Sequence, residues 1–242
     1  MDYLPNIFFA IALVVGIGFF VMNILKLIRN IKLGKDIDRS DRKIERWKNM
    51  ARIALGQSKM VSRPFAGFLH VIVYIGFVVI NIEVLEIVID GLFGTHRVFQ
   101  PLLGNTIYGF LIGTFEILAF LVLVAVILFW LRRNIIQLKR FMSKEMKGWP
   151  KNDGNLILYF EIVLMSLFIV MNATDHTFQE ANIGNPISQF VGPWFSGYSL
   201  ETLATIEHTA WWVHIIGILI FLNYLYYSKH LHILLAFPNT FF

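Results

Sequence analysis

Five stretches of the chain are almost unbroken runs of apolar residues, and polar, charged segments separate them. They run Leu4–Lys26, Phe65–Ile89, Thr106–Leu131, Leu156–Met171 extended to Asp175, and Ile206–Tyr227. A bilayer core of about 30 Å is crossed by roughly 20 apolar residues in a helix, so each run is expected to span a membrane. No basic leader precedes the first run and no small-residue cleavage site follows it, so it reads as a retained helix. The expected fold is all-α: one integral membrane bundle of five helices over residues 1–242.

The polar segments are as informative as the apolar ones. Of the 21 Lys and Arg residues, 12 fall between Lys26 and Arg63 and seven between Arg132 and Lys151. Lys229 follows the last span, and Arg97 alone falls in an opposite-side loop. Basic loops stay on the cytoplasmic side, so the N-terminus is expected outside and the C-terminus in the cytoplasm of a bacterial inner membrane. Within the first basic loop, Ile44, Trp47, Met50 or Ala51, and Leu55 recur at helical spacing. That pattern fits an amphipathic helix, either lying on anionic lipid or offering a docking surface to a redox partner. The segment from His176 to Glu207 carries Pro186, Gly192, Pro193, Trp194 and Gly197, turn and interface residues suited to a cap or to a lid over a ligand.

Composition narrows the class. The chain is 57% hydrophobic and 15% charged, with a mean hydropathy of +0.64, where soluble domains carry about 25% charged residues. It contains no cysteine, so it holds no disulfide and no iron–sulfur cluster of its own. There is no nucleotide-binding glycine motif, and no nucleic-acid partner is expected.

The candidate chemistry lies in the histidines and the intramembrane acids. Of His70, His96, His176, His208, His214, His230 and His232, those inside apolar runs demand a reason, because ionisable groups are costly in lipid. His214 and His232 are 18 residues apart. In a continuous helix that is five turns, about 27 Å, with both imidazoles on one face; His230 points elsewhere. His70 stands at the depth of His232, and two facing imidazoles are a common means of holding a haem in a bundle. Gly67 and Ser228, one turn before each, leave room for a porphyrin, and Arg63 is placed to pair with a propionate. On spacing alone, hydrogen-bonded packing histidines are an equal account. Glu83, Glu86, Glu116 and Glu161 interrupt the spans. Glu86 or Glu83, towards the outside with Asp90, suits a base at a quinone site, whereas Glu161 reads as structural.

The run His214-Ile215-Ile216-Gly217 through Tyr226-Tyr227-Ser228-Lys229-His230-Leu231-His232 resembles the last helix of the respiratory nitrate reductase gamma family. That family includes cytochrome b subunits of heterodisulfide reductases and membrane domains fused to bacterial iron–sulfur reductases. Gly67-Phe68-Leu69-His70 and the five-helix topology are similar as well, so the resemblance covers the whole chain. It implies b haem held by His70 and His232 at the cytoplasmic side, with His214 in the position of an outer-haem ligand. The family's partner for that ligand lies ten residues after the first histidine, where this chain has Ile80 followed by Asn81. His176, or else His96 or His208, is the remaining source of a second outer imidazole, and His214 with His176 is the expected outer pair. Fused relatives continue past a segment like Pro238-Asn239-Thr240-Phe241-Phe242 into an iron–sulfur domain, so the chain is expected to be one part of such a protein.

The expected function is therefore a b-type cytochrome, with one or two haems, passing electrons between menaquinone or another quinone and a cytoplasmic iron–sulfur partner. Two other classes stand beside it: a haem-free membrane anchor for a soluble reductase, and a small proton-conducting or transporter subunit built on the four glutamates.

Overall fold

A backbone in lipid must satisfy its own hydrogen bonds, and in this chain helices do so throughout the apolar runs. In the computed structural model, which describes residues 3–35, 37–60 and 62–242 and all their side chains except that of Arg140, five helices are long and apolar enough to cross a membrane. They are α1 (Leu4–Ile31), α3 (Pro64–Phe93), α4 (Phe99–Asn134), α5 (Trp149–Thr174) and α8 (Leu200–Tyr224). Shorter helices connect or extend them: α2 (Lys43–Met50), α6 (His176–Ala181), α7 (Ser188–Val191) and α9 (Leu231–Phe241). Pro5, Pro64 and Pro150 occupy first-turn positions, where the missing N–H costs nothing. Ser199 and Asp175 cap α8 and α6 by accepting from the Thr202 and Phe178 amides.

α4 is the central helix. Its Tyr108, Ile112, Phe115, Ala119, Val122 and Val126 are buried against Ile80 of α3 and against Leu164, Met165 and Phe168 of α5. Gly76 permits the close approach of α3 to α4, since a Cβ there would overlap Val122. α1 is peripheral. It buries Phe9 and Leu13 against Ile87, Ile215 and Leu219 and leaves Phe8, Val14 and Phe19 exposed on the outside of the bundle, as a lipid-facing helix should.

Two features depart from the sequence expectations. The last span begins at Leu200, six residues earlier than expected, and does not run on to His232. Its final turn is a 3-10 turn (Leu225–Tyr227), Ser228 is extended (φ −104°, ψ 169°), and a separate helix, α9, follows. α9 folds onto α2 at the basic end of the bundle. Arg46 donates to the Phe241 and Phe242 carbonyls at 3.3 and 3.2 Å, Asn49 to the Thr240 carbonyl at 2.6 Å, and Trp47 meets the edge of Phe241. The expected amphipathic helix is thus present, as α2 and the π turn Ala51–Leu55, with a partner inside the chain. At the opposite, far end, residues 176–199 form a packed cap. Glu116 of α4 accepts from the Ile187 and Ser188 amides at 2.9 and 3.0 Å. Gly184 (φ +78°) lies so close to the Gly109 backbone that no side chain would fit.

Candidate functional site

Three imidazoles lie in one neighbourhood at the basic end: His70 from the first turns of α3, and His230 and His232 from the bend after α8. The bend is built by one buried acid. Asp153, at the start of α5 and 2% exposed, accepts from the Lys229 amide at 3.0 Å and from the Tyr224 hydroxyl. The Ser228 hydroxyl accepts from the His230 amide at 3.0 Å, and Lys229 reaches the Pro150 carbonyl at 2.8 Å. These contacts turn the chain back so that His232 and His230 both lie within electrostatic reach of His70. The rings of His230 and His232 are 5.7 Å apart.

The ring nitrogens then divide by role. His232 Nδ1 is 2.8 Å from the Lys229 carbonyl oxygen, a contact of the kind that fixes a histidine ring and leaves Nε2 free to bind. His70 Nδ1 and His230 Nδ1 are buried without a hydrogen-bond partner among the described residues. An orphaned nitrogen in a membrane protein is costly unless a ligand completes it. Burial, and then the neighbouring His232, push the His230 imidazole down to about 4, so it is neutral and able to offer a lone pair. The expected pair His70 and His232 is brought together, and the structure adds His230 to it. Gly67 and Ser228 are buried beside them. Arg63 is the N-cap residue of α3 and is exposed. Among the described residues no group of three or more His, Asp or Glu side chains converges as a site for a metal ion.

The outer pair is not brought together. His214 lies 14 residues into α8, about 21 Å from its start, and packs on Phe168 of α5. His176 opens α6 beyond the end of α5, eight residues and about 12 Å past Phe168, with its ring 3.5 Å from Glu180. His96 is 3.5 Å from Asp175. His208 stacks on Trp211 and accepts from the Trp212 indole at 3.2 Å. The expected same-face stacking of His214 and His232 fails for a different reason, the break at Ser228.

The acids take unequal parts. Glu86 is fully engaged, accepting from the Phe99 amide at 2.8 Å and from the Tyr108 hydroxyl at 3.1 Å. Tyr108 in turn accepts from Arg97 at 3.2 Å. Arg97 donates to Asp175 at 2.8 Å and to Asn172 at 3.1 Å, and lies over the Phe178 ring. Asn172 continues to Glu116 at 3.0 Å. This buried network locks α3, α4 and α5 to the cap. Glu83, 4% exposed, has one oxygen without a partner, yet it lines neither the His214 crevice nor the far-end cavity bordered by Asp90, His96, Glu207 and His208. Glu161 instead borders a crevice between α3, α5 and α8, together with His214, Ile80 and Asn81.

Sequence reasoning passed over Asp153, Tyr108, Asn172 and the structural weight of Arg97. The signal for Arg97 was present, as the one Lys or Arg in the far loops; that for Asp153 was an acid directly after a basic segment.

Known proteins similar to this chain are redox proteins. It is 28% identical over 97% of its length to the probable iron–sulfur-binding oxidoreductase FadF of Bacillus subtilis (strain 168). It is 21% identical over 95% of its length to the EtfAB:quinone oxidoreductase of Syntrophomonas wolfei subsp. wolfei. The chain spans 32% of the length of each of these relatives. No family model and no solved structure matches it. A multi-pass membrane bundle similar to parts of two oxidoreductases is the identity the comparisons support.

Proposed function

We propose that this chain is a b-type cytochrome that carries electrons between a membrane quinone and an iron–sulfur partner, with its basic end in the bacterial cytoplasm. The single observation that carries the reading is the proximity of His70 to His232 and His230 at the basic end, with Nδ1 of His70 and of His230 left unpaired. A bound haem would supply a one-electron carrier there. The residues would supply the rest: His70 and His232 the nitrogens that would hold it, the Lys229 carbonyl the orientation of His232, and Asp153 the bend that brings His232 round. One haem is proposed, because no second imidazole accompanies His214. His230 is the alternative partner of His70, favoured by its burial and by its own unpaired Nδ1. Menaquinone or a related quinone, and a separate or fused iron–sulfur unit, are proposed as partners in keeping with the names of the two relatives.

The test is the dithionite-reduced absorption spectrum and pyridine-haemochrome content of purified protein. One haem per chain is expected, absent from His70→Ala and His232→Ala and retained in His214→Ala and His176→Ala. Loss in His230→Ala with retention in His232→Ala transfers the ligand role to His230. Protein that inserts in the membrane and purifies folded with no haem band would leave a haem-free anchor as the function.

A further inference from the structure

We propose that the crevice between α3, α5 and α8 is the quinone-binding site, with His214 and Glu161 holding the quinone's oxygens; this rests on the quinone-linked function proposed above. The crevice offers about 80 Å³ to a water-sized sphere and its walls are mostly apolar: Val73, Val84, Val122, Met165, Ile218 and Phe221 among them. Into this apolar space come three polar side chains with unspent hydrogen-bonding capacity. His214 is 2% exposed and its Nδ1 has no partner. Glu161 has no charged or hydrogen-bonding neighbour among the described residues. Asn81 spends its amide donor on the Phe77 carbonyl one turn back and keeps its oxygen.

Such an arrangement is expensive in a membrane and reads as a site awaiting a ligand. The ligand it fits is a flat, largely apolar ring with hydrogen-bonding oxygens on opposite edges. His214 lies level with Leu164 and Phe168 of α5, and Glu161 is one turn below Leu164, so the two groups face the crevice at different depths. One can therefore meet each edge of a quinone ring, while Asn81, exposed at the α3 wall, marks the open side through which an isoprenoid tail would pass to lipid. A drug-sized ligand site commonly has this form, concave and apolar with a few placed polar groups.

Position supports the same assignment. The crevice reaches down α3 to Val73, less than one turn from His70, and down α8 to Phe221, whose ring lies 5.7 Å from that of His230. Its lower end thus borders the proposed haem ligands. A second haem is disfavoured in this space, since Ile80 lines it where another imidazole would be needed. The cavity at the far end has polar groups too, but those of its histidines are engaged with Asp175, Trp211 and Trp212.

The experiment measures binding of the quinol analogue 2-heptyl-4-hydroxyquinoline N-oxide to purified protein by equilibrium dialysis, with haem content determined on the same samples. Glu161→Gln and His214→Gln are each expected to weaken binding roughly tenfold, as loss of a buried hydrogen bond would, with haem content unchanged. Ile218→Phe, which fills the crevice with an apolar ring and removes no polar group, is expected to do the same. Affinity within twofold of the parent in all three variants would overturn the assignment. So would loss of binding on Glu207→Gln or His96→Gln instead, which would move the site to the far end. A fall in haem content in His214→Gln would make His214 a ligand and also defeat the proposal. If the parent protein carries no haem, the cytochrome reading fails while dialysis still decides the crevice.

Discussion

Removing the Arg97 guanidinium should unlock the far end of the bundle more than any single change at the charged surface. Arg97 sits 2.8 Å from Asp175, with side-chain exposures of 10% and 6%. It also satisfies Asn172 and Tyr108 and lies over Phe178. In Arg97→Met the volume is largely kept and the apolar stem still covers Phe178, so the loss is electrostatic. Asp175 is left with His96 at 3.5 Å and the Phe178 amide, and Glu86 keeps only neutral donors. Breaking a buried pair by removing one partner costs about 3–5 kcal/mol. At roughly 2–4 °C per kcal/mol for a chain of this size, the melting temperature should fall by about 6–20 °C. The assay is thermal unfolding in detergent followed by tryptophan fluorescence, for which the six Trp residues suffice. Arg42→Met is the control: its partners Asp41 and Glu45 are largely exposed, and such pairs contribute about 0–1 kcal/mol. Removing both charges, in Arg97→Met with Asp175→Asn, should restore part of the loss, because no uncompensated ion then remains. A melting temperature for Arg97→Met within 2 °C of the control's, by the conversion above, would refute the claim that this network holds the cap to the bundle.

Two further outcomes follow from packing and topology. In Gly91→Leu a side chain would begin 2.6 Å from the Phe9 ring, which is wedged between Trp211 and Trp212 and has nowhere to move; overpacking should lower stability by about 1–3 kcal/mol, read in the same melting assay, and an unchanged melt would show that α1 shifts freely. Because the chain has no cysteine, single cysteines at Ser143 and Ser196, both exposed, report sidedness: a membrane-impermeant maleimide should label Ser196→Cys in intact cells and Ser143→Cys only after lysis, and the reverse pattern would place the basic end outside.

What could be read from the residues, and what could not, follows the range of the physics involved. The spans were legible because lipid imposes a local rule, roughly 20 apolar residues in a row, and each run obeys it by itself. That His70 and His232 share one end of the bundle was legible too, although part of the supporting argument was wrong. The 18-residue spacing assumed one continuous helix, and that assumption fails at Ser228, where Asp153, 75 residues earlier in sequence, captures the Lys229 amide. A bend made by a distant acid leaves no periodic trace in the segment it bends. Glu86 and Glu161 could not be told apart in sequence for the same reason. Both are single acids in apolar runs, and only the neighbours brought by other helices separate them: Tyr108 and the Phe99 amide consume the hydrogen-bonding capacity of Glu86, whereas Glu161 meets an apolar crevice. The distinction between a structural and a functional acid is one of satisfied against unsatisfied hydrogen bonds, a property of pairs of helices. By that criterion His214 belongs with Glu161. His214 has Ile80, not an imidazole, across from it, yet it is buried, has an unpaired nitrogen and lines the same crevice as Glu161, and on that pairing the proposed quinone site rests.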